Sequence, residues 1–300
     1  MIDVPNEFAR RIVAREGAAG RRWIEDLPRL VDGCLERWRL TAEGPPRHGF
    51  VGVAVPVRRA DGSPAMLKVG WLDDETRWQA AVLAAWAGRG AVRLLGRDDE
   101  RGAMLVERLD GERSLRELDG VAAAEVAGLV CRRLAVPVPP ELADLPRVRD
   151  VAARLVDELP AGWERLGRPF ARRHVELAAA TCRELGPGQP DLLLHGDLVF
   201  DNVLRGEREP WLAIDPTGLA GEPAYDASQL LTNRWSELTA QADLRAAVHA
   251  RLGAFAGGAG VDVERARRWS HVRAVQDAVW CRDHQPDVVP VVDTLMDLLA

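Results

Sequence analysis

A chain of 300 residues, 47% of them hydrophobic and 29% charged, can bury two modest cores and is too polar to be embedded in a membrane. No run approaches the roughly 18 consecutive apolar residues of a membrane span, and the opening MIDVPNEFARRIVAREG lacks the apolar core of a signal peptide, so a cytoplasmic protein with no membrane partner is expected. The formal net charge of −6 argues against a nucleic-acid partner, whose phosphates are bound by concentrated positive charge, and favours a small molecule that is neutral, polyhydroxylated or cationic.

Along the chain, Phe8, Ile12, Val13, Trp23, Leu27 and Leu30 fall on one face of a helix, which predicts an N-terminal helical cap. From Gly49 the pattern turns to strands: FVGVAVPVRR, a turn at Ala60 to Ser63, then PAMLKVG, read together as a hairpin. Its second strand carries Lys68, the only lysine in the chain, a candidate for chemistry that arginine cannot perform. Asp73 to Trp86 reads as a helix with Asp73, Asp74 and Glu75 in its first turn, where the helix dipole favours negative charge. Two short strands, AVRLLG and GAMLVERL, come next.

At LDGERS, Leu109 to Ser114, the character changes, and most of the remaining chain reads as helices punctuated by proline and glycine. The expected division is 1–110 and 111–300. Within the second part DLLLHGD, NVLRGE and EPWLAIDP are short apolar runs separated by turn signals, read as small strands. Asp226, in EPAYDASQLL, is expected to cap a helix. Cys34, Cys131, Cys182 and Cys281 are too scattered for zinc ligation and read as reduced structural thiols.

The strongest local signal is His195, Gly196, Asp197 with Asn202 five residues on, followed by Asp215 at the end of WLAIDP. Phosphoryl transfer asks for such a set, because it needs positioning and charge neutralisation more than covalent chemistry. One carboxylate orients or accepts the acceptor hydroxyl's proton, while an amide oxygen and a second carboxylate suit magnesium. Lys68 would meet the phosphates, since an ammonium among Met66, Leu67 and Val69 is costly to bury without an anionic partner.

These residues, with VPVRRADGSPAMLKV, RGAVRLLG and RGAMLVERLDG, resemble the aminoglycoside phosphotransferases, in particular their streptomycin 6-phosphotransferase and hydroxyurea-kinase branch, over roughly residues 45–240. The resemblance implies an α+β, protein-kinase-like, two-lobed fold: an N-terminal helical cap and small antiparallel-sheet N-lobe, then a mostly helical C-lobe, with Mg2+ and ATP (or GTP) between them. It implies Asp197 as catalytic base, Asn202 and Asp215 as metal ligands, Lys68 on the phosphates, and the backbone of Glu107 to Leu109 around the adenine. The family glutamate that usually meets the lysine is replaced by Gln79, with Glu75 one turn earlier as the alternative, and Thr217 stands where the branch usually has lysine. A C-terminal acidic and aromatic wall for a cationic substrate would use Asp277, Trp280 and Asp283.

His195 is expected to order the loop and Asp201 to be solvated. The implied activity is phosphorylation of a hydroxyl on an aminoglycoside such as streptomycin. The alternatives are a metabolic or hydroxyurea-type kinase and, because of Gln79, a noncatalytic nucleotide-binding protein.

Overall fold

The computed structural model describes residues 2–74 and 76–300, and the chain forms two compact units, Met1–Leu109 and Asp110–Ala300. The first opens with α1 (Asn6–Arg37), interrupted at Gly17, whose φ of 61° is not helical. Strands β1 (Thr41–Ala42), β2 (Arg47–His48), β3 (Gly52–Arg58) and β4 (Pro64–Gly70) come after it, then α2 (Gln79–Trp86), β5 (Leu94–Asp98) and β6 (Ala103–Glu107). The sheet is antiparallel, in the order β1-β3-β4-β6-β5, with β2 also on β3.

Strand alternation decides which face is which. Val53, Val55, Val57, Ala65, Leu67 and Val69 point to one side and are completely buried against Phe8, Ile12, Leu27, Val31 and Cys34 of α1, so the amphipathic helix covers one face of a period-two sheet. Met66 and Lys68 point to the other side and are half-buried. Burying one leucine such as Leu67 in this layer is worth roughly 2–3 kcal/mol by transfer, so a one-residue slip of β4 would exchange every core side chain for its neighbour.

The helix expected from Asp73 starts at Gln79 instead. The Asp73 carboxylate accepts from the Thr76 backbone N–H and hydroxyl, both at 2.9 Å, and Thr76 Oγ1 accepts from the Asp73 N–H at 3.0 Å. This local side-chain bonding competes with the first helical turn, and Arg15 of α1 pairs with the same aspartate. Glu75 lies outside the described residues.

The second unit contains α3 (Gly120–Leu134), α4 (Val148–Arg165), α5 (Arg172–Leu185), β7 (Leu193–Leu194), β8 (Val203–Arg205), β9 (Trp211–Ala213), β10 (Leu219–Ala220), α6 (Ser228–Thr232), α7 (Trp235–Thr239), α8 (Leu244–Ala259), α9 (Val263–His284) and α10 (Val289–Leu299). Its strands form two small antiparallel pairs, β7 with β10 and β8 with β9. The close α3–α8 packing has a sequence cause: Cβ atoms on Gly128 or Gly258 would lie 2.3 Å from the carbonyl oxygens of Phe255 or Glu125, so only glycine lets the two backbones meet. On α9, Trp269 is fully buried and donates its indole N–H to Glu222 at 2.6 Å, while Glu222 also takes Arg265 and Gln189. The Glu222 carboxylate thus gathers three side-chain donors at the start of α9, while Ser270 Oγ and His271 Nδ1 further along the helix are buried without a hydrogen-bond partner. All four cysteines are buried free thiols, and no helix among the described residues is long and apolar enough to cross a membrane.

Candidate active site

The HGD sequence leaves β7 and folds back on itself through buried polar groups. His195 is completely buried; its Nε2 lies 2.9 Å from Ile214 O and its Nδ1 3.3 Å from the Asp197 N–H. That pattern fits a neutral ring that donates through Nε2 and accepts through Nδ1, and burial pushes its pKa down to about 4. The expectation that this histidine orders the loop matches its geometry. Gly196 has φ 80°, and a Cβ there would lie 2.1 Å from Thr217 Oγ1, so glycine is required twice over. Thr217, at the position where a lysine was expected from the resemblance, therefore packs directly on the loop, and its N–H donates to His195 O at 3.0 Å.

Asp226 is the residue that sequence reasoning misplaced. It does not cap α6, whose N-terminus has no side-chain cap; it sits buried in a short 3-10 turn, Pro223–Ala227. Its two carboxylate oxygens accept the backbone N–H groups of His195 and Gly196, each at 3.0 Å, and the Cys131 thiol lies 3.9 Å away. Burial outweighs these bonds and raises its pKa to about 6. The carboxylate satisfies two N–H groups that no regular strand can pair. A buried aspartate following a run that ends in HGD was the available signal, but nothing in spacing said which backbone it would reach.

Asp197 is half-buried, and burial raises its pKa, opposed by the Asn202 hydrogen bond and by Arg273. Asn202 Nδ2 donates to Asp197 O at 2.9 Å and to Oδ2 at 3.1 Å, so the amide later in the motif aims the carboxylate. The β8–β9 ladder pairs Val203 with Ala213, and Ile214 N–H continues it onto Asn202 O at 2.9 Å. That register brings Asn202 and Asp215 to the same end of the hairpin. Asp215 has φ 57°, a left-handed conformation uncommon for a residue other than glycine and a recurrent mark of functional sites. Asn202 Oδ1 and the Asp215 carboxylate are hard oxygen donors of the kind that would suit magnesium, and the described residues hold no cluster of three His, Cys, Asp or Glu side chains that would suit another metal. The loop is braced further by Asn233, which accepts the Phe200 N–H at 2.6 Å. Asp201, expected to be solvated, is half-exposed but paired with Arg116.

In the first unit, Lys68 stands on β4 between Ala54 and Met104, and burial lowers its pKa to about 8. Gln79 is the first residue of α2. At the end of β6, the Glu107 N–H donates to Arg93 O at 2.9 Å and its carboxylate accepts the Arg93 N–H at 3.1 Å, so that backbone donor is already engaged. Of the three C-terminal candidates, Asp277 is half-buried with a pKa raised by burial and lowered by Arg273. Trp280 is 47% exposed and stacks on His284 with centroids 4.6 Å apart. Asp283 is held in an ion pair with Arg165 at 2.6 Å and is turned away from the Asp277 face by helical geometry.

The profile of a family described as aminoglycoside/hydroxyurea antibiotic resistance kinase matches residues 37–285. The chain is 37% identical over 302 residues to a streptomycin 6-kinase of Streptomyces glaucescens, covering 100% of this chain and 97% of that one. It is 41% identical over 286 residues to a hydroxyurea phosphotransferase of Kitasatospora aureofaciens, covering 93% and 80%. Among solved structures, a macrolide 2'-phosphotransferase from Brachybacterium faecium superposes with TM-score 0.56 at 18% identity, covering 91% of this chain and 98% of that one. An ethanolamine kinase of Plasmodium vivax superposes with TM-score 0.57 at 12% identity, covering 99% and 95%. The helix-backed antiparallel sheet and helical second unit are those of a protein-kinase-like fold.

Proposed function

The chain belongs to the aminoglycoside/hydroxyurea antibiotic resistance kinase family, and on that premise we propose that it phosphorylates a hydroxyl of an aminoglycoside such as streptomycin, with Mg·ATP as donor in the cytoplasm. As a family member it is a phosphotransferase with an alcohol group as acceptor that uses a nucleoside triphosphate and a small-molecule substrate. The observation that carries the residue assignment is the braced loop, in which Asn202 aims the Asp197 carboxylate while Asp226 fixes the backbone behind it.

In this reading Asp197 receives the proton of the acceptor hydroxyl as the oxygen attacks the γ-phosphorus in line. Its raised pKa makes it a stronger base than an exposed aspartate. Lys68 pairs with the donor phosphates, partnered by Gln79 or Glu75, and Leu109 with Glu107 frames the adenine. Asn202 and Asp215 would hold magnesium, which supplies charge neutralisation at the phosphates when bound. Asp277 and Trp280, one turn apart on α9, would meet a cationic or polyhydroxylated acceptor, while Asp283 is engaged by Arg165.

The test is phosphate transfer from Mg·ATP to streptomycin by wild type and Asp197→Asn. Transfer that falls by about 10²–10⁴ in the variant, with ATP still bound, is the expected result. A second reading, phosphorylation of hydroxyurea, is favoured by the 41% identity to a hydroxyurea phosphotransferase; transfer to hydroxyurea and not to streptomycin would select it.

A further inference from the structure

Phe200, Asp201 and Asn202 form a 3-10 turn in the catalytic loop, and Val199, which precedes it, offers no side-chain cap. The Phe200 N–H at its start would be a buried donor without a partner. Its partner comes from 33 residues along the chain, where Asn233 Oδ1 accepts it at 2.6 Å. Asn233 stands just past α6 and is itself gripped by a buried cation. Arg251 of α8 is 2% exposed, and its Nη1 donates to Asn233 O at 2.5 Å and to Leu230 O at 3.2 Å, carbonyl oxygens at the open end of a five-residue helix. The same guanidinium lies 5.5 Å from the centroid of the buried Phe200 ring. Arg251 thus meets the Phe200 ring directly and the Phe200 N–H through Asn233.

Burying a guanidinium is costly unless a carboxylate pairs with it. Among the described residues Arg251 meets carbonyl oxygens and an aromatic ring, and its Nε is buried with no hydrogen-bond partner. Glu237, whose charge acts on it, is ion-paired with Arg234. The group is also confined, since a Cβ on Gly120 at the start of α3 would lie 2.5 Å from Arg251 Nη2. An apolar side chain would avoid the desolvation but could not grip the Asn233 backbone. The turn that Asn233 caps ends at Asn202, whose amide donates to Asp197 O and Oδ2. A shift of Phe200 is therefore passed to the catalytic carboxylate, where small misplacements weigh heavily on rate.

We propose that Asn233, clamped by Arg251, is a positioning residue: the pair sets the place of the Phe200–Asn202 turn and thereby the aim of Asp197 at the acceptor hydroxyl. Neither residue is assigned a contact with substrate or nucleotide. This inference rests on the kinase reading above.

Steady-state transfer from Mg·ATP to streptomycin tests it, measured well below the thermal midpoint of each protein, with amide hydrogen exchange followed at Phe200. The proteins are wild type, Asn233→Ala, Asn233→Asp, Arg251→Met and the double variant of Asn233→Ala with Arg251→Met. Asn233→Ala should lower kcat about 10–10²-fold, leave the KM for ATP and for streptomycin each within about threefold, and speed exchange at the Phe200 amide. Asn233→Asp keeps an oxygen for that N–H and should recover most of kcat. Arg251→Met should lower kcat in the same way, and the double variant little further, because both act through one turn. A kcat near wild type in Asn233→Ala or Arg251→Met overturns the proposal, and a lowered midpoint alongside it would make the pair a structural brace alone. So does Asn233→Asp no better than Asn233→Ala, unchanged exchange at Phe200, or losses that multiply in the double variant. Should Arg251→Met not fold, Arg251→Gln takes its place with the same outcomes. Absence of transfer by the wild type is a separate outcome: it removes the streptomycin-kinase reading, and this inference with it.

Discussion

On β4, Lys68 is fixed by regular ladders to Ala54 and Met104, whereas Asp197 stands on irregular backbone held by His195, Asn202, Asn233 and Asp226 side chains. Both charged groups end up half-buried with pKa values displaced by desolvation. The means differ, and so does the robustness. A ladder spreads its hold over many equivalent bonds, while the loop concentrates its hold in a few buried polar side chains, each of which leaves costly unpaired groups when removed.

The comparison breaks first at Asp226. Asp226→Ala strands the N–H groups of His195 and Gly196 in a buried place, so a loss of about 3–5 kcal/mol is expected, with activity falling at least as far as in Asp197→Asn; chemical denaturation alongside the transfer assay reads both. No single substitution on the half-buried face of β4 should cost as much stability. Next is Gly196→Ala, which imposes a left-handed alanine at a cost of about 1–2 kcal/mol and a clash with Thr217 Oγ1. Gly196→Ala with Thr217→Ala should recover the clash component and leave the backbone strain, a difference visible in thermal midpoints.

Lys68 sharpens the contrast through pH. Its pKa of about 8, below the ordinary 10.5, means the folded state loses the proton first. kcat/KM for ATP is expected to fall above about pH 8 and to keep its alkaline activity in Lys68→Arg. Stability moves the other way: the unfolded chain binds the extra proton between about pH 8 and 10.5, so this group's contribution to stability rises with pH across that window. Acid titration of the loop has the opposite origin, since protonation of Asp226 near pH 6 weakens its hold on two N–H groups and should lower kcat as pH falls through that value. The smallest effect is expected at Gln79. As the first residue of α2 it can hydrogen-bond but not neutralise Lys68, so Gln79→Ala should raise the KM for ATP only a few-fold, by less than one charge-assisted bond of about 1.5–3 kcal/mol, and Glu75→Gln measured beside it shows which of the two partners the lysine.

Much of this arrangement was legible in the sequence because it is local. Alternation in FVGVAVPVRR and PAMLKVG determined the hairpin and put Lys68 opposite the core face; HGD with Asn202 and Asp215 pointed to the family; and the periodic apolar residues determined α1. Where local side chains competed with backbone, prediction slipped: Asp73 and Thr76 bond each other and delay α2 to Gln79. What only the tertiary structure decided were contacts between segments distant in the chain. Asp226 reaches His195 and Gly196, Arg251 sits over Phe200, and Arg273 lies over the Tyr225 ring. Hydrophobic periodicity reports which face of an element is buried, but the partner of a buried charge depends on which backbone the folded chain carries past it, and no residue spacing encodes that.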